Sequence, residues 1–116
     1  MDDSPFPSTG QQGTESAAEV LLRSLKANGI DHLLVNPGTD FAPLIEGLVH
    51  SQRKGAAIPK PMVITHENCA VAMAHGYYMV TGKPQAVMVH TNVGTANTLN
   101  CLADACRENV PILLMA

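Results

Sequence analysis

The stretch VITHENCAVAMAHGYYMVTGKP, residues 63–84, contains the pattern that decides the fold. It begins inside an apolar run, residues 61–65, which predicts a buried strand. Residues 67–82 follow with closely spaced Ala and Met, and they predict a helix that stops at Gly82. Thr65 is a candidate cap for this helix, and Glu67 lies on its first turn, where the helix dipole favours a negative charge.

The same alternation of strand and helix extends in both directions from this stretch. Unbroken apolar strands that alternate with helices predict a parallel sheet covered on both faces. The expected fold is therefore a doubly wound α/β domain with three layers, α/β/α. The other helices are expected at residues 15–27, with Thr14 as N-cap, and at residues 40–52 and 94–109; the other strands are expected at residues 31–36, 85–91 and 110–116.

The two ends of the chain differ in character. Residues 1–13 are rich in Pro, Gly and polar residues, which predicts a flexible tail and leaves residues 14–116 as one domain. At the other end the sequence stops at Ala116, at the tip of a predicted buried strand. We therefore expect a domain that is incomplete at its C-terminal end, either truncated or a fragment.

Composition and charge argue against several classes of protein. The formal net charge is -3 and the seven Lys and Arg residues are scattered, so nucleic acid and anionic membranes are not expected as partners. No signal peptide is recognisable, and no apolar run reaches the ~18 residues that span a bilayer. The three cysteines follow no metal-site spacing. We expect no metal site within this chain, and a reducing cytoplasm is the simplest location.

Polar or small residues follow three of the predicted strands, at residues 36–39, 65–68 and 90–97. Ligands of open parallel sheets bind beyond the carboxyl ends of the strands, so these segments share the rim where a site is expected. Taken alone, each residue also has an ordinary explanation in turn, cap or backbone hydrogen-bonding chemistry. Their coincidence on one rim favours a functional site. The candidates are Pro37, Gly38, His66, Glu67, His90, Gly94 and Asn97.

The helix predicted at residues 67–82 is unusually thin, because Ala70, Ala72, Ala74 and Gly76 are small. Two explanations remain open. The helix is buried in the core of this chain, or a second helix or subunit approaches it and completes the site.

Residues 66–84 resemble a segment of thiamine-diphosphate enzymes of the acetolactate synthase, benzoylformate decarboxylase and pyruvate oxidase superfamily. That segment opens with His-Glu or Gln-Glu and continues to Gly-Tyr and Thr-Gly-Lys-Pro. The similarity extends to GIDHLLVNPGT, residues 29–39, and to HTNVGTANTLNCLADACRENVPILLMA, residues 90–116. It implies the N-terminal pyrimidine-binding (PYR) domain of an enzyme that decarboxylates or ligates 2-oxo acids.

This resemblance also implies roles for individual residues. Glu67 matches the glutamate that hydrogen-bonds ring nitrogen N1′ of the cofactor's aminopyrimidine and activates the cofactor. His90 matches an active-site histidine of benzoylformate decarboxylase that transfers protons to bound intermediates, whereas His66 matches a position to which we assign no chemical role. The remaining matched positions are Pro37, Gly38, Gly94 and Asn97 toward the cofactor and Thr39 toward the substrate.

Two departures from the family pattern limit what is carried over. Asn92-Val93-Gly94 replaces the Gly-Pro-Gly of many synthases, which favours a decarboxylase-like site over acetolactate synthesis. The Gly-Asp-Gly to Asn segment that carries Mg2+ and the diphosphate is not among these residues; in the family it belongs to a C-terminal domain. The resemblance thus implies a chain inactive alone, in a parent enzyme that is a homodimer or tetramer and whose use of FAD stays open. The alternative is a non-catalytic doubly wound binding or interaction module.

Overall fold

The computed structural model describes residues 14–116. Residues 1–13, for which a flexible tail is predicted, lie outside the described residues. Helices and strands alternate along the chain, and a short 3-10 turn, Thr39–Phe41, leads into the second helix. The elements are α1 (Ala17–Ala27), β1 (His32–Asn36), α2 (Ala42–Arg53), β2 (Lys60–Val63), α3 (Glu67–Thr81), β3 (Gln85–Val89), α4 (Thr91–Arg107) and β4 (Ile112–Met115).

The strands form one parallel sheet in the order β2-β1-β3-β4. Val35 of β1 lies between Val63 of β2 and Met88 of β3 in the paired register. From β1 the chain crosses to β2 on one side, and from β3 it crosses to β4 on the other side. The direction of winding therefore reverses between β1 and β3, which confirms the predicted doubly wound sheet.

The helices cover the two faces of the sheet in pairs. Side chains alternate along a strand, so Leu33 and Val35 of β1 point to one face and Leu34 points to the other. Leu33 and Val35 join Leu22, Leu25, Phe41 and Leu44 in the core beneath α1 and α2. Leu34 joins Ala70, Val71, Ala74, Val87 and Val89 in the core beneath α3, with Cys101 and Leu102 of α4 packed against it. The three-layer arrangement predicted from the apolar strands is confirmed.

The first and third helices begin at caps other than the predicted ones. Ser16, and not Thr14, caps α1: its hydroxyl accepts from the backbone N of Glu19 at 3.2 Å, and Glu19 Oε2 accepts from the backbone N of Ser16 at 2.8 Å. This reciprocal capping box satisfies two helix-end donors at once. His66, and not Thr65, caps α3.

Other predicted boundaries were also wrong. The helix predicted at residues 94–109 begins at Thr91, because the backbone N of Gly94 already bonds the carbonyl of His90 at 3.0 Å. The helix predicted at residues 40–52 is divided into the 3-10 turn and α2, with Pro43 in the first turn of α2, where its missing N–H is tolerated. The strands β2 and β4 are shorter than their apolar runs.

Near the amino ends of β1 and β3, Asp31 and Gln85 form hydrogen bonds within the chain. Gln85, only 1% exposed, accepts from the backbone N of Asp31 at 3.1 Å and donates to the carbonyl of Pro84 at 2.6 Å. The carboxylate of Asp31 accepts from Lys26, Lys83 and Tyr77, and these donors hold the pKa of Asp31 well below its usual value. The charge of Asp31 at this edge is therefore paired within the chain.

Among the described residues, no helix combines the length and the apolar character that a membrane crossing requires.

Candidate functional site at the carboxyl edge of the sheet

Three strands end at the same edge of the sheet and are followed by the predicted site segments. Pro37 and Gly38 follow β1, Glu67 follows β2 after a short turn, and His90 follows β3 directly. Because the winding reverses between β1 and β3, their carboxyl ends border the crevice where ligands of doubly wound sheets bind. The structure therefore places Glu67 and His90 on one rim, as predicted.

Glu67 is the first residue of α3 and is only 8% exposed. Its Oε2 accepts a hydrogen bond from Asn97 Nδ2 at 3.1 Å. No other hydrogen-bond donor among residues 14–116 contacts the carboxylate, so Oε1 is left as a free acceptor. Glu67 and Asn97, predicted from separate segments, thus form one contact between α3 and α4.

His66 orients the start of α3. Its Nδ1 accepts from the backbone N of Asn68 at 3.2 Å and lies 3.9 Å from Glu67 Oε2. The Nδ1 lone pair already accepts from the backbone N–H of Asn68. We therefore do not interpret the 3.9 Å distance from His66 Nδ1 to Glu67 Oε2 as an ion pair. The role of His66 in this structure is to cap the helix that carries Glu67.

His90 lies against the loop that follows β1. Its Nδ1 is 2.7 Å from Asp40 Oδ1. A Cβ atom added at Gly38 would lie 2.2 Å from the Cγ and Nδ1 atoms of the imidazole. Glycine at position 38 therefore leaves room for His90 in this orientation, a reason that the sequence alone did not indicate.

The chain turns sharply between β3 and α4. Thr91 has φ of 47°, an uncommon conformation for a β-branched residue. This turn lets α4 begin directly after His90, without a loop. Gly94 lies on the first turn of α4, where a Cβ would be 2.9 Å from Cβ of the fully buried Val89. Strained backbone and close packing of this kind are typical of functional sites, although they do not identify the chemistry.

The other predicted residues lie at different distances from His90. Asn97, the hydrogen-bond partner of Glu67, lies on the second turn of α4, seven residues after His90. At 1.5 Å per residue this separation is roughly 10 Å along the helix. The contact of Glu67 with Asn97 and the contact of His90 with Asp40 are therefore two separate contacts on the same rim. Pro37 and Thr39 are exposed at the rim, and no hydrogen bond among the described residues joins either side chain to Glu67 or His90.

Two residues of the rim were missed in the sequence analysis. Asp40 was predicted only as the first residue of the helix at residues 40–52, whereas its carboxylate contacts His90. Asn68 was not singled out, but its Oδ1 is buried without a hydrogen-bond partner among the described residues. For Asp40 the available signal was a carboxylate two residues after Gly38, close to a predicted strand end.

The thin helix α3 has two different faces. Ala70 and Ala74 are fully buried in the core, whereas Ala72 and Gly76 are exposed. Val80, on the last turn, is 87% exposed. Of the two explanations left open by the sequence, burial in the core accounts for only one face.

The rim offers acceptors and a histidine but no recognisable metal site. Among residues 14–116, no group of three or more His, Cys, Asp or Glu is placed to hold a metal ion. An apolar cavity of about 420 Å³, lined in part by Leu25, Ile30 and Ile112, lies at the opposite, amino edge of the sheet. Glu67 and His90 therefore lie on an open rim and not inside that cavity.

Comparison with known proteins identifies the family. Residues 15–116 match the model of the family described as "Thiamine pyrophosphate enzyme, N-terminal TPP binding domain". Because this match covers nearly all of the described chain, the chain belongs to that family.

Individual relatives agree with this assignment. The chain is 30% identical over 101 residues to the acetolactate synthase large subunit of Buchnera aphidicola, covering 87% of this chain and 17% of that protein. It is 32% identical over 105 residues to a Pseudomonas aeruginosa protein named "Probable 2-ketoarginine decarboxylase AruI", covering 90% of this chain and 18% of that protein. The chain thus spans less than a fifth of the length of these curated relatives.

A solved structure shows the same fold. The thiamine diphosphate-dependent 4-hydroxybenzoylformate decarboxylase of Rhodococcus jostii RHA1 superposes with a TM-score of 0.71 at 23% identity, covering 85% of this chain and 18% of that one. The agreement supports the doubly wound arrangement.

Proposed function

We propose that this chain is the pyrimidine-binding part of a thiamine diphosphate-dependent enzyme that decarboxylates or ligates 2-oxo acids. One observation carries the proposal. Glu67, at the carboxyl edge of the sheet, keeps a carboxylate that is nearly buried, oriented by Asn97 at 3.1 Å, and provided with a free oxygen.

The surroundings of Glu67 fit the aminopyrimidine of the cofactor. A weakly basic ring nitrogen needs a partner that shares a proton with it, and a carboxylate screened from water meets this need. The bond from Asn97 occupies Oε2 and leaves Oε1 for such a partner. When bound, thiamine diphosphate supplies a carbon nucleophile that adds to the keto carbon of a 2-oxo acid.

The other rim residues have supporting tasks in this proposal. His90 accepts and returns a proton near the bound substrate, a task suited to an imidazole. The backbone of Pro37 and Gly38 borders the cofactor, and Thr39 faces the substrate. Gly94 lets α4 begin close to β3, which brings Asn97 to Glu67.

The substrate class follows from the relatives and from His90. A 2-ketoarginine decarboxylase and a 4-hydroxybenzoylformate decarboxylase are named for 2-oxo acids, and the acetolactate synthase relatives are named for a ligation product. We place the chain with the decarboxylases because a histidine follows β3. Pyruvate and benzoylformate are the 2-oxo acids to test first.

The rest of the site is proposed to lie outside this chain. We assign Mg2+ and the diphosphate to a C-terminal domain, and residues 14–116 hold no metal cluster that competes with this assignment. We further propose a homodimer or tetramer, in which a neighbouring subunit covers the exposed face of α3. Ala72, Gly76 and the 87% exposed Val80 on that face support the proposal. The proposal leaves the use of FAD by the parent enzyme open.

The proposal is tested with Glu67→Gln in the full-length protein that contains this chain. Binding of thiamine diphosphate with Mg2+ is measured by isothermal titration calorimetry, and decarboxylation of pyruvate and benzoylformate is assayed. We expect turnover to fall by at least about a hundredfold, because general acid–base contributions are of this size. Glu46→Gln on the exposed face of α2 is the matched control, since it removes the same charge away from the rim.

Equal turnover in Glu67→Gln and the parent would contradict the proposal. So would a parent protein that does not bind thiamine diphosphate in the presence of Mg2+.

A further inference from the structure

We propose that Asp40 is a positioning residue that fixes the tautomer of His90, so that Nδ1 carries the proton and Nε2 presents a lone pair. The role of this tautomer in catalysis rests on the proposed function. It concerns Asp40, which was not predicted to lie at the site, and it is tested without cofactor or substrate.

The contact between the two residues defines the proton's position. Asp40 Oδ1 and His90 Nδ1 are 2.7 Å apart, at the short end of the range for charge-assisted N–H···O bonds. An ionised carboxylate only accepts hydrogen bonds, so the bond requires a proton on Nδ1. In a neutral imidazole the other nitrogen, Nε2, is then an acceptor.

The loop that carries Asp40 is held in place by its surroundings. Asp40 lies on the 3-10 turn between Thr39 and Phe41, and Phe41 is 1% exposed, which anchors this turn in the core beneath α2. The backbone N of Phe41 bonds the carbonyl of Gly38 at 3.2 Å. The same glycine leaves room for the imidazole. One short loop thus supplies the space for the ring and its hydrogen-bond partner.

The second ring nitrogen remains available. No hydrogen bond to His90 Nε2 is found within residues 14–116. In the neutral ring, Nε2 is therefore the nitrogen that can take up a proton from a bound molecule. Without Asp40 the ring would be free to choose either tautomer and other orientations, because its side chain is 42% exposed.

A simple surface ion pair is the competing explanation. Asp40 is 38% exposed, and exposed pairs contribute little to stability. An ion pair that matters only through charge would not fix the tautomer of the neutral ring. The tautomer therefore separates the two explanations, whereas stability does not.

The test is the tautomer of His90, measured on the 116-residue chain with 15N-labelled histidine. Long-range 1H–15N correlation spectra are recorded at about pH 8, where an ordinary histidine is neutral. The signal of His90 is assigned by its loss in His90→Asn. We expect the wild-type ring to carry its proton on Nδ1 and Asp40→Ala to shift the majority to Nε2. Glu46→Ala, which removes an exposed carboxylate from α2, should leave the wild-type pattern unchanged.

A wild-type His90 protonated mainly on Nε2 overturns the proposal, whether or not the variants fold. A proton that stays on Nδ1 in a folded Asp40→Ala also overturns it. These spectra do not depend on thiamine diphosphate. Failure of the Glu67→Gln experiment would therefore leave them unchanged and would count against the proposed function alone.

Discussion

At the residue scale, two glycines of the rim are needed for different neighbours. A Cβ at Gly38 would meet the imidazole of His90, which is partly exposed and can turn away. A Cβ at Gly94 would meet the side chain and backbone of Val89, which is fully buried and cannot move easily. Gly38 is thus tied to the site, and Gly94 is tied to the packing of α4 on β3.

Alanine substitution should separate these two roles. We expect Gly94→Ala to reduce the free energy of unfolding by about 1–2 kcal/mol. The clash of the added methyl group with Val89 destabilises the fold by more than the higher helix propensity of alanine stabilises it. Gly38→Ala should change stability by less than about 1 kcal/mol, because the backbone at Gly38 is extended and the neighbouring His90 ring is partly exposed and has room to turn. Urea denaturation measures both values.

Gly38→Ala should nevertheless displace His90 from Asp40, which the histidine spectra would detect. A larger loss of stability for Gly38→Ala than for Gly94→Ala would show that the ring of His90 is fixed more rigidly than its exposure indicates.

At the element scale, α1 and α2 are held together by a salt bridge and by close apolar packing. Glu19 completes the capping box of α1 and also accepts from Lys54 at 2.7 Å, just after the end of α2. Gly47 of α2 packs so closely on α1 that a Cβ would lie 2.8 Å from that of Ala18. These contacts hold the helix pair that supports the loop of Gly38 and Asp40.

The stability of this helix pair should depend on pH. Lys54 first, and then the backbone of Ser16, lower the pKa of Glu19 from 4.5 to about 2. Because the folded pKa lies below the unfolded one, the stability that ionised Glu19 contributes is fully present above about 4.5 and is lost as the pH falls toward about 2. We therefore expect Glu19→Gln to lower the urea midpoint near neutral pH, with a difference from wild type that narrows on acidification.

The matched control for this experiment is Glu46→Gln, which alters an exposed carboxylate of the same helix pair. It should leave the difference between neutral and acid stability as in the wild type. A difference between Glu19→Gln and wild type that stays constant from neutral pH to about pH 3 would show that Glu19 acts through packing and not through its charge.

Elements were predictable where one physical signal dominated. The apolar runs of β1 and β3 predicted buried parallel strands, and the junction at Glu67 predicted a carboxylate at the carboxyl edge. The start of α4 was not predictable from residues 91–97, because Thr, Asn, Val and Gly have weak helix propensity and tertiary packing overrides it. The contact of Asp40 with His90 also escaped the sequence analysis, since it depends on β1 and β3 being neighbours in the sheet.

At the scale of the whole molecule, the two edges of the sheet differ in how their polar groups are used. At the amino edge the charge of Asp31 is paired with two lysines and Gln85 is hydrogen-bonded within the chain, and among the buried side-chain polar atoms of the described residues only Nδ1 of His32 lacks a partner there. The carboxyl edge leaves Glu67 Oε1 and His90 Nε2 without partners among residues 14–116. A surface with free acceptors of this kind is suited to receive a ligand.

This difference leads to a prediction about the chain on its own. A ligand that binds the folded state at a hundredfold excess over its dissociation constant stabilises it by about 2.7 kcal/mol. We expect thiamine diphosphate with Mg2+ to raise the melting temperature of the full-length protein and to leave that of the 116-residue chain unchanged. The reason is that the diphosphate requires cations and aligned backbone donors, which we assign to another domain.

Thiamine without its diphosphate is the control ligand, because it keeps the pyrimidine that Glu67 is proposed to bind. It should shift neither melting temperature measurably, since one carboxylate contact on an open rim offers little affinity. An equal shift of the short chain and the full-length protein by thiamine diphosphate would mean that this chain holds the diphosphate itself. The rim of Glu67 and His90 would then be a complete cofactor site, and the proposed division of the site between domains would be wrong.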